Sequence, residues 1–500
     1  MKVDYIIVQA GGKGTRMEKL TRNKPKALVP VKNRPMLFHL FEKYPHKQFI
    51  IIGDYKCEVL IRYLEAFASV SYQVVDATGA HGTCAGLSKA LSRLPDGEAF
   101  MLIWSDLILP ECYKMPEAER NYIGISKDFC CRWSYKQGVF REEPDSVQGV
   151  AGQFIFQNKS QIAQVPQEGE FVRWLAESGL ELEELPLYYT KEYGLLAEYQ
   201  KLETEKCRPF NRLLVEEDLI VKEGIDDQGR ALAERECAWY EKLCQKGFPN
   251  IPKIYGLHPI RMERIRGKNI YEYTDLSRTQ KEQILNQIAD CLKQVHSYEQ
   301  APADRESYLE AYINKTFQRL SKVRELVPFA KEQTVTVNGR ICRNVFAVRK
   351  ELEEALLQYM PDHFELLHGD CTFSNLLLED GTRPVLIDPR GYFGTTEFYG
   401  DAAYDWAKLY YSLAGNYDQF NRKRFDLIIG ESEVELKIQS SHWEDLETYF
   451  FSLLKSQVQP RQIRLIHAVI WLSLTTYAWE DYDSICGAFY NGLYYLEEAL

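Results

Sequence analysis

Apolar residues in the first hundred positions fall into short β-branched runs separated by stretches with helical periodicity. The runs are Tyr5-Ile6-Ile7-Val8, Phe49-Ile50-Ile51-Ile52, Tyr72-Gln73-Val74-Val75 and Phe100-Met101-Leu102-Ile103-Trp104. Strands that alternate with helices predict a mostly parallel sheet with helices on both faces. We therefore expect an N-terminal α/β domain.

The pattern changes near residue 205. Leu213-Leu214-Val215 and Leu219-Ile220-Val221 flank a polar turn and predict an antiparallel hairpin, which a helix from about Ala231 follows. Beyond Thr279 helical periodicity dominates, and a short strand and loop region interrupts it between about residues 366 and 387. The sequence predicts a boundary at about residues 200–209, giving domains 1–204 and 205–500.

Composition restricts the class of protein. A chain of 500 residues with 45% hydrophobic and 27% charged residues is typical of a globular protein with two to four domains. The net charge of -11 argues against a nucleic-acid binder. Twelve cysteines without a Cys-x-x-Cys pair indicate reduced thiols and a cytoplasmic location. The most apolar late stretch, Leu465–Trp479, is shorter than the roughly 20 residues of a membrane span.

The first predicted strand leads into a glycine-rich loop. Its residues are Gly11, Gly12, Lys13, Gly14, Thr15 and Arg16. Glycines let backbone N–H groups approach a polyphosphate, and the two basic side chains add positive charge. A glycine-rich turn also joins ordinary strands to helices. Lys26 strengthens the phosphate-binding interpretation because it lies between Pro25 and Pro30, on a stiffened segment suited to neutralising a transferring phosphoryl group.

Gly-Gly-x-Gly-Thr-Arg followed by Pro-Lys-x-Leu-Val-Pro-Val resembles the sugar-phosphate and phosphocholine nucleotidyltransferases, over roughly residues 1–200. The resemblance implies a Rossmann-like sheet, a nucleoside triphosphate above the glycine loop, and Mg²⁺ held by an aspartate that ends a later strand. Asp106 fits that position, and the alternative is a solvated loop residue. Gly82 and Thr83 resemble the segment near the base and the substrate. Glu192, in Glu-Tyr-Gly, would replace the family's second metal aspartate, or it is a solvated helix charge.

A second chemical motif lies near the C-terminus. Asp370 follows His368-Gly369, and Asn375 follows five residues after Asp370. This spacing is that of a kinase catalytic loop, in which the aspartate accepts the proton of the attacking hydroxyl and the asparagine binds Mg²⁺. Thirteen residues beyond Asn375, Asp388 ends a short apolar strand, where the aspartate that holds the metal ions of ATP is expected.

Asp370, Asn375 and Asp388 together resemble the aminoglycoside phosphotransferase and choline kinase superfamily, over about residues 207–500. The resemblance implies a bilobal protein-kinase-like domain, with an N-lobe at about 205–265 and a C-lobe at about 266–500. Gly369 replaces the arginine of protein kinases and favours small-molecule substrates.

The same resemblance assigns the ATP site. Lys222, on the second hairpin strand, would bind the ATP α- and β-phosphates, although a surface lysine is the plain alternative. Glu236 is its candidate partner, with Glu234 competing for the role. Met262-Glu263-Arg264-Ile265 would form the hinge that reads adenine through its backbone, with Met262 and Glu263 as its first residues.

The two motifs together predict a bifunctional enzyme. ATP would phosphorylate a small hydroxyl compound X, and a second nucleoside triphosphate would react with X-phosphate to release pyrophosphate. Such fusions typically serve the decoration of surface polysaccharides. Choline or another amino alcohol with CTP is the favoured pair, because aromatic residues at 404–482 would offer faces to a quaternary ammonium. A sugar or alditol with UTP or GTP is the alternative. In a third interpretation, one head is a degenerate binding or regulatory module.

Overall fold

The computed structural model describes residues 1–202, 211–454 and 458–500. Two compact units divide the chain. The first comprises Met1–Thr204 with Glu480–Asp483, and the second comprises Glu205–Trp479 with Ser484–Leu500. The boundary predicted between residues 204 and 205 lies outside the described residues. Throughout the described part of the chain, every helix is too short or too polar to cross a bilayer.

The first unit is an α/β domain. Its strands are β1 (Val3–Gln9), β2 (Pro30–Val31), β3 (Arg34–Pro35), β4 (Gln48–Gly53), β5 (Ser71–Asp76), β6 (Ala99–Trp104), β7 (Leu107–Ile108), β8 (Tyr122–Ser126), β9 (Ser134–Lys136), β10 (Val139–Arg141), β11 (Gly149–Phe156), β12 (Glu183–Leu187) and β13 (Lys191–Glu192). Its helices are α1 (Met36–Lys43), α2 (Cys57–Phe67), α3 (Thr83–Leu91), α4 (Phe171–Glu177) and α5 (Leu196–Gln200).

Four of these strands form the predicted parallel sheet, in the order β6-β1-β4-β5. Ile6 and Ile7, which face opposite sides of the sheet on β1, are both fully buried, as expected for strands covered on both faces. The Rossmann-like fold class is therefore confirmed. The sheet continues through β11, antiparallel to β6, and through β8, antiparallel to β11. This parallel-to-antiparallel change was not predicted.

The second unit has the mixed content of a kinase-like domain. Its strands are β14 (Asn211–Val215), β15 (Leu219–Gly224), β16 (Ile254–Leu257), β17 (Ile260–Glu263), β18 (Gly267–Asn269), β19 (Gln300–Pro302), β20 (Thr334–Val337), β21 (Arg340–Arg343), β22 (His363–Leu366), β23 (Leu376–Glu379), β24 (Arg383–Leu386), β25 (Tyr392–Phe393), β26 (Thr396–Glu397), β27 (Tyr399–Gly400), β28 (Phe425–Ile429) and β29 (Glu433–Ile438). Its helices are α6 (Asp227–Gln245), α7 (Arg278–Ser297), α8 (Arg305–Leu309), α9 (Lys315–Val323), α10 (Arg349–Leu357), α11 (Ala403–Leu413), α12 (Tyr417–Asn421), α13 (Glu447–Leu454), α14 (Pro460–Leu474) and α15 (Tyr482–Ala499).

The predicted hairpin is confirmed, since β14 and β15 pair antiparallel in a four-stranded sheet of order β14-β15-β17-β16. Helix α6 begins before the predicted position at Ala231. The Asp226 carboxylate accepts a hydrogen bond from the Gly229 N–H at 2.7 Å and caps the helix N-terminus there.

The expectation that helices dominate beyond Thr279 was incomplete. A four-stranded sheet of order β21-β20-β29-β28 lies within this region. Strand β29 alternates buried Val434 and Leu436 with exposed Glu433 and Glu435, but it joins β20 across nearly a hundred residues of chain. Short strands with distant partners give little local signal, so sequence periodicity missed them.

Candidate active sites

The glycine loop of the first unit wraps around Lys26. Gly14 has a φ of 63°, and a Cβ there would lie 3.1 Å from the Lys26 Cβ. The Gly12 carbonyl accepts a hydrogen bond from the Lys26 N–H at 3.4 Å. Glycine at 14 therefore serves both a left-handed turn and the close approach of the lysine.

Lys26 reaches the predicted metal aspartate. Its Nζ lies 2.5 Å from Asp106 Oδ2, and both side chains are largely buried. Glu192 joins them because β13 pairs with β7, directly after Asp106, and the Tyr193 N–H donates to the Asp106 carbonyl at 3.1 Å. A Cβ on Gly194 would lie 2.0 Å from Glu192 Oε1 and 3.1 Å from Asp106 Oδ2. The two carboxylates therefore converge on one point.

Glu192 is a half-buried strand residue rather than a solvated helix charge. Burial and the nearby Asp106 carboxylate raise the pKa of Glu192 to about 7, and the charges of Lys26 and Arg16 oppose that rise. The Arg16 side chain is exposed, so it lies at the solvent side of the carboxylates. Two adjacent carboxylates in a poorly solvated place are stabilised by a divalent cation.

The other predicted nucleotide contacts lie around the same loop. Lys13 is exposed, with its Nζ 5.6 Å from the centre of the Tyr55 ring, and Thr15 is exposed at the start of a short 3₁₀ helix. Gly11 packs closely on Asp54, where a Cβ would lie 2.7 Å from the aspartate Cβ.

Gly82 and Thr83 have structural contacts of their own. Gly82 has a φ of 85°, and a Cβ there would lie 2.3 Å from the Gly169 carbonyl oxygen. The Thr83 hydroxyl accepts a hydrogen bond from the Phe171 N–H at 2.8 Å, and the Thr83 carbonyl accepts one from Gln9 Nε2 at 3.0 Å. These bonds place the start of α3 at the carboxyl end of β1.

In the second unit, Asp370 is held from two sides. Lys408 Nζ lies 2.9 Å from Asp370 Oδ1, and Asn375 Nδ2 donates to Asp370 Oδ2 at 3.0 Å. Burial acts to raise the pKa of Asp370, but the Lys408 charge and hydrogen bond bring it below the usual value. The Asp370 side chain is 39% exposed, so an acceptor hydroxyl can reach an ionised carboxylate.

Asp405 holds the catalytic loop through hydrogen bonds to its backbone. Its carboxylate accepts hydrogen bonds from the His368 N–H at 2.9 Å and the Gly369 N–H at 2.7 Å, and it contacts His296 Nε2 at 3.0 Å. Asp405 is fully buried. These contacts give Asp405 a structural role, since they fix the backbone of the catalytic loop.

Lys222 connects the two lobes of this unit. Its Nζ lies 2.7 Å from Glu236 Oε2 and 2.6 Å from Asp388 Oδ1. Glu236 is buried, whereas its competitor Glu234 is exposed. The structure therefore brings together the lysine, the helix glutamate and the strand-end aspartate that the sequence had singled out, and a surface position for Lys222 is wrong.

The hinge prediction needs one correction. Met262 is buried on β17, and the Glu263 N–H donates to the Lys253 carbonyl at 2.8 Å. That backbone donor is therefore occupied within the protein and is not free for adenine. Residues 264–266 connect β17 to β18, which pairs with β23 just after the catalytic loop. The predicted hinge overlaps this link through Arg264 and Ile265, while Met262 and Glu263 belong to β17.

The donor sets of both sites fit Mg²⁺, which prefers one or two carboxylates together with phosphates and water. Asp106 and Glu192 supply adjacent carboxylates in the first unit. In the second, the Ile387 N–H donates to the Asn375 carbonyl at 3.1 Å, which brings Asn375 beside Asp388. Among the described residues no three His, Cys, Asp or Glu side chains form a group that could hold a metal ion.

The aromatic residues that suggested a quaternary-ammonium site mostly belong to the core. Tyr404, Trp406, Tyr410, Tyr411, Trp471 and Tyr482 are buried, while Tyr477 is 41% exposed and Trp479 is half-buried. Packing therefore accounts for most of these rings without a ligand.

Two family models match the chain. Residues 6–114 match the MobA-like NTP transferase domain, and residues 210–427 match the phosphotransferase enzyme family. The chain thus joins an N-terminal nucleotidyltransferase-type domain to a C-terminal phosphotransferase-type domain, and both models describe enzymes.

Similarity to individual proteins concerns the N-terminal part. A UTP–glucose-1-phosphate uridylyltransferase of Haloferax volcanii is 35% identical over 108 residues, which is 20% of this chain and 43% of that protein. A mannose-1-phosphate guanylyltransferase catalytic subunit beta of Dictyostelium discoideum is 32% identical over 112 residues, or 20% and 30% of the two chains. The chain therefore spans less than half the length of these relatives.

Among solved structures, the CTP:phosphocholine cytidylyltransferase of Streptococcus pneumoniae matches with a TM-score of 0.33 and 20% identity, covering 40% of this chain and 98% of that one. The HddC protein of Yersinia pseudotuberculosis matches with a TM-score of 0.35 and 20% identity, covering 40% and 97%.

Proposed function

We propose that the chain is a bifunctional enzyme that phosphorylates a small hydroxyl compound X with ATP and then transfers a nucleotidyl group to X-phosphate. The observation that carries the proposal is the presence of two separate constellations. Lys26, Asp106 and Glu192 converge behind a glycine loop in one unit. Asp370 and Asp388, with Asn375, Lys222 and Glu236, surround a kinase-type loop in the other.

In the first step the hydroxyl oxygen of X attacks the γ-phosphorus of ATP. The bond from that phosphorus to the β–γ bridging oxygen breaks, ADP leaves, and Asp370 accepts the hydroxyl proton. Lys408 keeps Asp370 ionised, while Lys222 neutralises ATP phosphates from a position fixed by Glu236. Mg²⁺ bound by Asn375 and Asp388 would neutralise charge on the ATP phosphates.

In the second step a phosphate oxygen of X-phosphate attacks the α-phosphorus of the second nucleoside triphosphate. The bond to the α–β bridging oxygen breaks and pyrophosphate leaves. Lys26 and Arg16 supply positive charge to the reacting phosphates, and the loop N–H groups orient them. Mg²⁺ at Asp106 and Glu192 would neutralise the triphosphate. No side-chain nucleophile is required.

Two classes of X follow from the sequence: an amino alcohol such as choline with CTP, and a sugar or alditol with UTP or GTP. Either product would suit the decoration of a surface polysaccharide by a cytoplasmic enzyme. The burial of most of the aromatic residues removes the main support for a quaternary-ammonium site. The nucleotide-sugar names of the N-terminal relatives support the second class.

Two substitutions in the full-length protein test whether each site catalyses one of the two reactions. Asp370→Asn should abolish ADP formation from ATP and X, yet retain pyrophosphate release from supplied X-phosphate. Asp106→Asn should do the opposite. Asp275→Asn, an exposed position in the second unit, serves as the matched control and should keep both activities.

The outcomes separate the candidate functions. Loss of both activities in either folded variant would contradict two independent sites. Kinase activity without pyrophosphate release, across CTP, UTP, GTP and a panel of phosphates, would instead favour a degenerate N-terminal binding module.

A further inference from the structure

Basic side chains gather near Asp370. Tyr392 is the centre of this group. The Arg390 guanidinium donates to the Tyr392 hydroxyl at 2.9 Å, and its Cζ lies 4.4 Å from the ring centre. Arg235 Cζ lies 4.7 Å and Lys315 Nζ 5.4 Å from the same ring. Three cations therefore surround one phenol.

The group extends to the catalytic aspartate. Arg390 also donates to the Tyr404 hydroxyl at 2.8 Å, and Lys408 Nζ lies 5.9 Å from the Tyr404 ring centre and 2.9 Å from Asp370 Oδ1. The Arg390 N–H donates to the His368 carbonyl at 2.8 Å, so this arginine is fixed to the catalytic loop itself.

These cations are poorly balanced by carboxylates. Within the described ranges, Arg235, Lys315 and Arg319 make no ion pair within 4.0 Å, although the chain as a whole is acidic. Arg390 makes none there either, but the Tyr392 and Tyr404 hydroxyls and the charge of Asp370 stabilise its positive charge. Arg319 donates to the Ser473 carbonyl and hydroxyl, at 2.6 and 3.0 Å. Unpaired charges that are partly withdrawn from water are costly unless a ligand compensates them.

Lys315 shows the imbalance most clearly. Burial and the positive charges of Arg390, Arg319 and Lys408 lower the pKa of Lys315 to about 6, against a weaker opposing effect of Glu310. Burial and repulsion therefore favour the neutral amine of Lys315 in the free protein, and a bound anion would favour its charged form.

We propose that these cations form the acceptor subsite of the kinase and that the acceptor X carries an anionic group, a carboxylate or a phosphate, besides the hydroxyl that is phosphorylated. This inference rests on the proposed kinase function. Arg235, Lys315, Arg319 and Arg390 bind the anion, while Asp370 receives the proton of the hydroxyl. A quaternary ammonium such as choline is repelled by the same residues, so the favoured choline assignment does not fit this subsite.

Matched acceptors test the charge requirement with the full-length protein. The neutral compound is glycerol, its anionic counterparts are D-glycerate and sn-glycerol 3-phosphate, and choline is the cationic compound. ADP release gives kcat/KM for each. Calorimetric titration in the presence of Mg²⁺ and a non-hydrolysable ATP analogue gives binding without turnover.

We expect the anionic members to exceed their neutral or cationic counterparts by at least about 10- to 100-fold in kcat/KM and in affinity, the effect of a charged hydrogen bond. The glycerate and glycerol 3-phosphate arms distinguish a carboxylate from a phosphate. Equal or better use of choline or glycerol would overturn the inference while upholding the kinase function. Binding of an anionic member without phosphorylation would uphold the subsite and contradict the kinase function. Absence of binding by every member would overturn the subsite.

Two variants separate the acceptor subsite from the ATP site. Lys315→Met and Arg319→Gln should each raise KM for the anionic acceptor about tenfold, with KM for ATP unchanged. Lys315→Met removes an amine whose charged form burial disfavours and keeps most of the side-chain length, so it should fold normally. Lys350→Met, at a side chain that is 91% exposed, is the control and should alter neither constant. A rise in KM for ATP alone would assign these cations to the ATP phosphates and overturn the inference.

Discussion

Lys408 Nζ lies 2.9 Å from Asp370 Oδ1 and so pairs a helix lysine with the aspartate of the catalytic loop. The lysine side chain is 14% exposed and the aspartate 39%, so the carboxylate faces the solvent while its counter-ion lies behind it. The pair explains why Asp370 stays ionised despite its partly buried position.

Replacement of Lys408 should therefore impair phosphoryl transfer. We expect Lys408→Met to lower kcat for ATP-dependent phosphorylation at least about tenfold, the lower range for a positioned acid–base group. Lys408→Arg, which keeps the charge, should retain more activity. ADP release under saturating ATP measures the effect. Unchanged kcat in a folded Lys408→Met variant would show that Asp370 does not depend on this lysine.

Glu192→Gln should separate activity from stability in the first unit. Loss of a metal-binding carboxylate should lower the rate of pyrophosphate release at least about 10- to 100-fold. That is the effect of losing a residue that only hydrogen-bonds to a metal ligand. Burial and Asp106 disfavour the charge of Glu192, so its neutralisation should leave Tm unchanged or higher in metal-free buffer. Glu168→Gln, at an exposed position, is the control. A large fall in Tm with full activity would assign Glu192 a structural role instead.

The ion pair of Lys222 with Glu236 should behave as a coupled unit. Lys222→Met leaves Glu236 buried without its partner, which should lower the free energy of unfolding by about 3–5 kcal/mol. Lys222→Met combined with Glu236→Leu should recover most of this loss, because an apolar pair needs no counter-charge. Chemical denaturation of the two variants measures the coupling. Additive destabilisation in the double variant would contradict it, and kinase activity should be lost in both.

His467 predicts a pH dependence of stability. The ring is fully buried, Trp471 Nε1 donates to its Nε2 at 2.9 Å, and burial lowers the pKa of His467 to about 3. Between pH 6.5 and 3 the unfolded chain binds a proton that the folded protein excludes, so stability falls as the pH falls through this window.

At pH 5 this proton binding lowers the free energy of unfolding by about 2 kcal/mol, since each pKa unit corresponds to about 1.4 kcal/mol. His467→Gln should therefore lose less stability than the parent between pH 7.5 and 5, by about that amount. Denaturant unfolding at the two pH values measures the difference. Parallel losses in both proteins would show that His467 does not contribute.

Local sequence could predict much of each site. The glycine loop, Lys26 and Asp106 follow from short-range spacing, because a strand, a turn and a strand end fix where those residues lie. Asp370, Asn375 and Asp388 follow in the same way from one catalytic loop and the strand after it. The acceptor subsite could not be found in this way, because Arg235, Lys315 and Arg390 come from segments that are far apart in the sequence.

The sequence by itself therefore determined the two-part organisation, the parallel sheet and the positions of the principal carboxylates. Only the tertiary structure decided that Glu236 rather than Glu234 pairs with Lys222, and that Glu192 reaches Asp106. It alone showed a cationic surface next to Asp370 in an acidic chain. Net charge and spacing are properties of the chain, whereas the charge of a pocket depends on which distant segments the fold brings together.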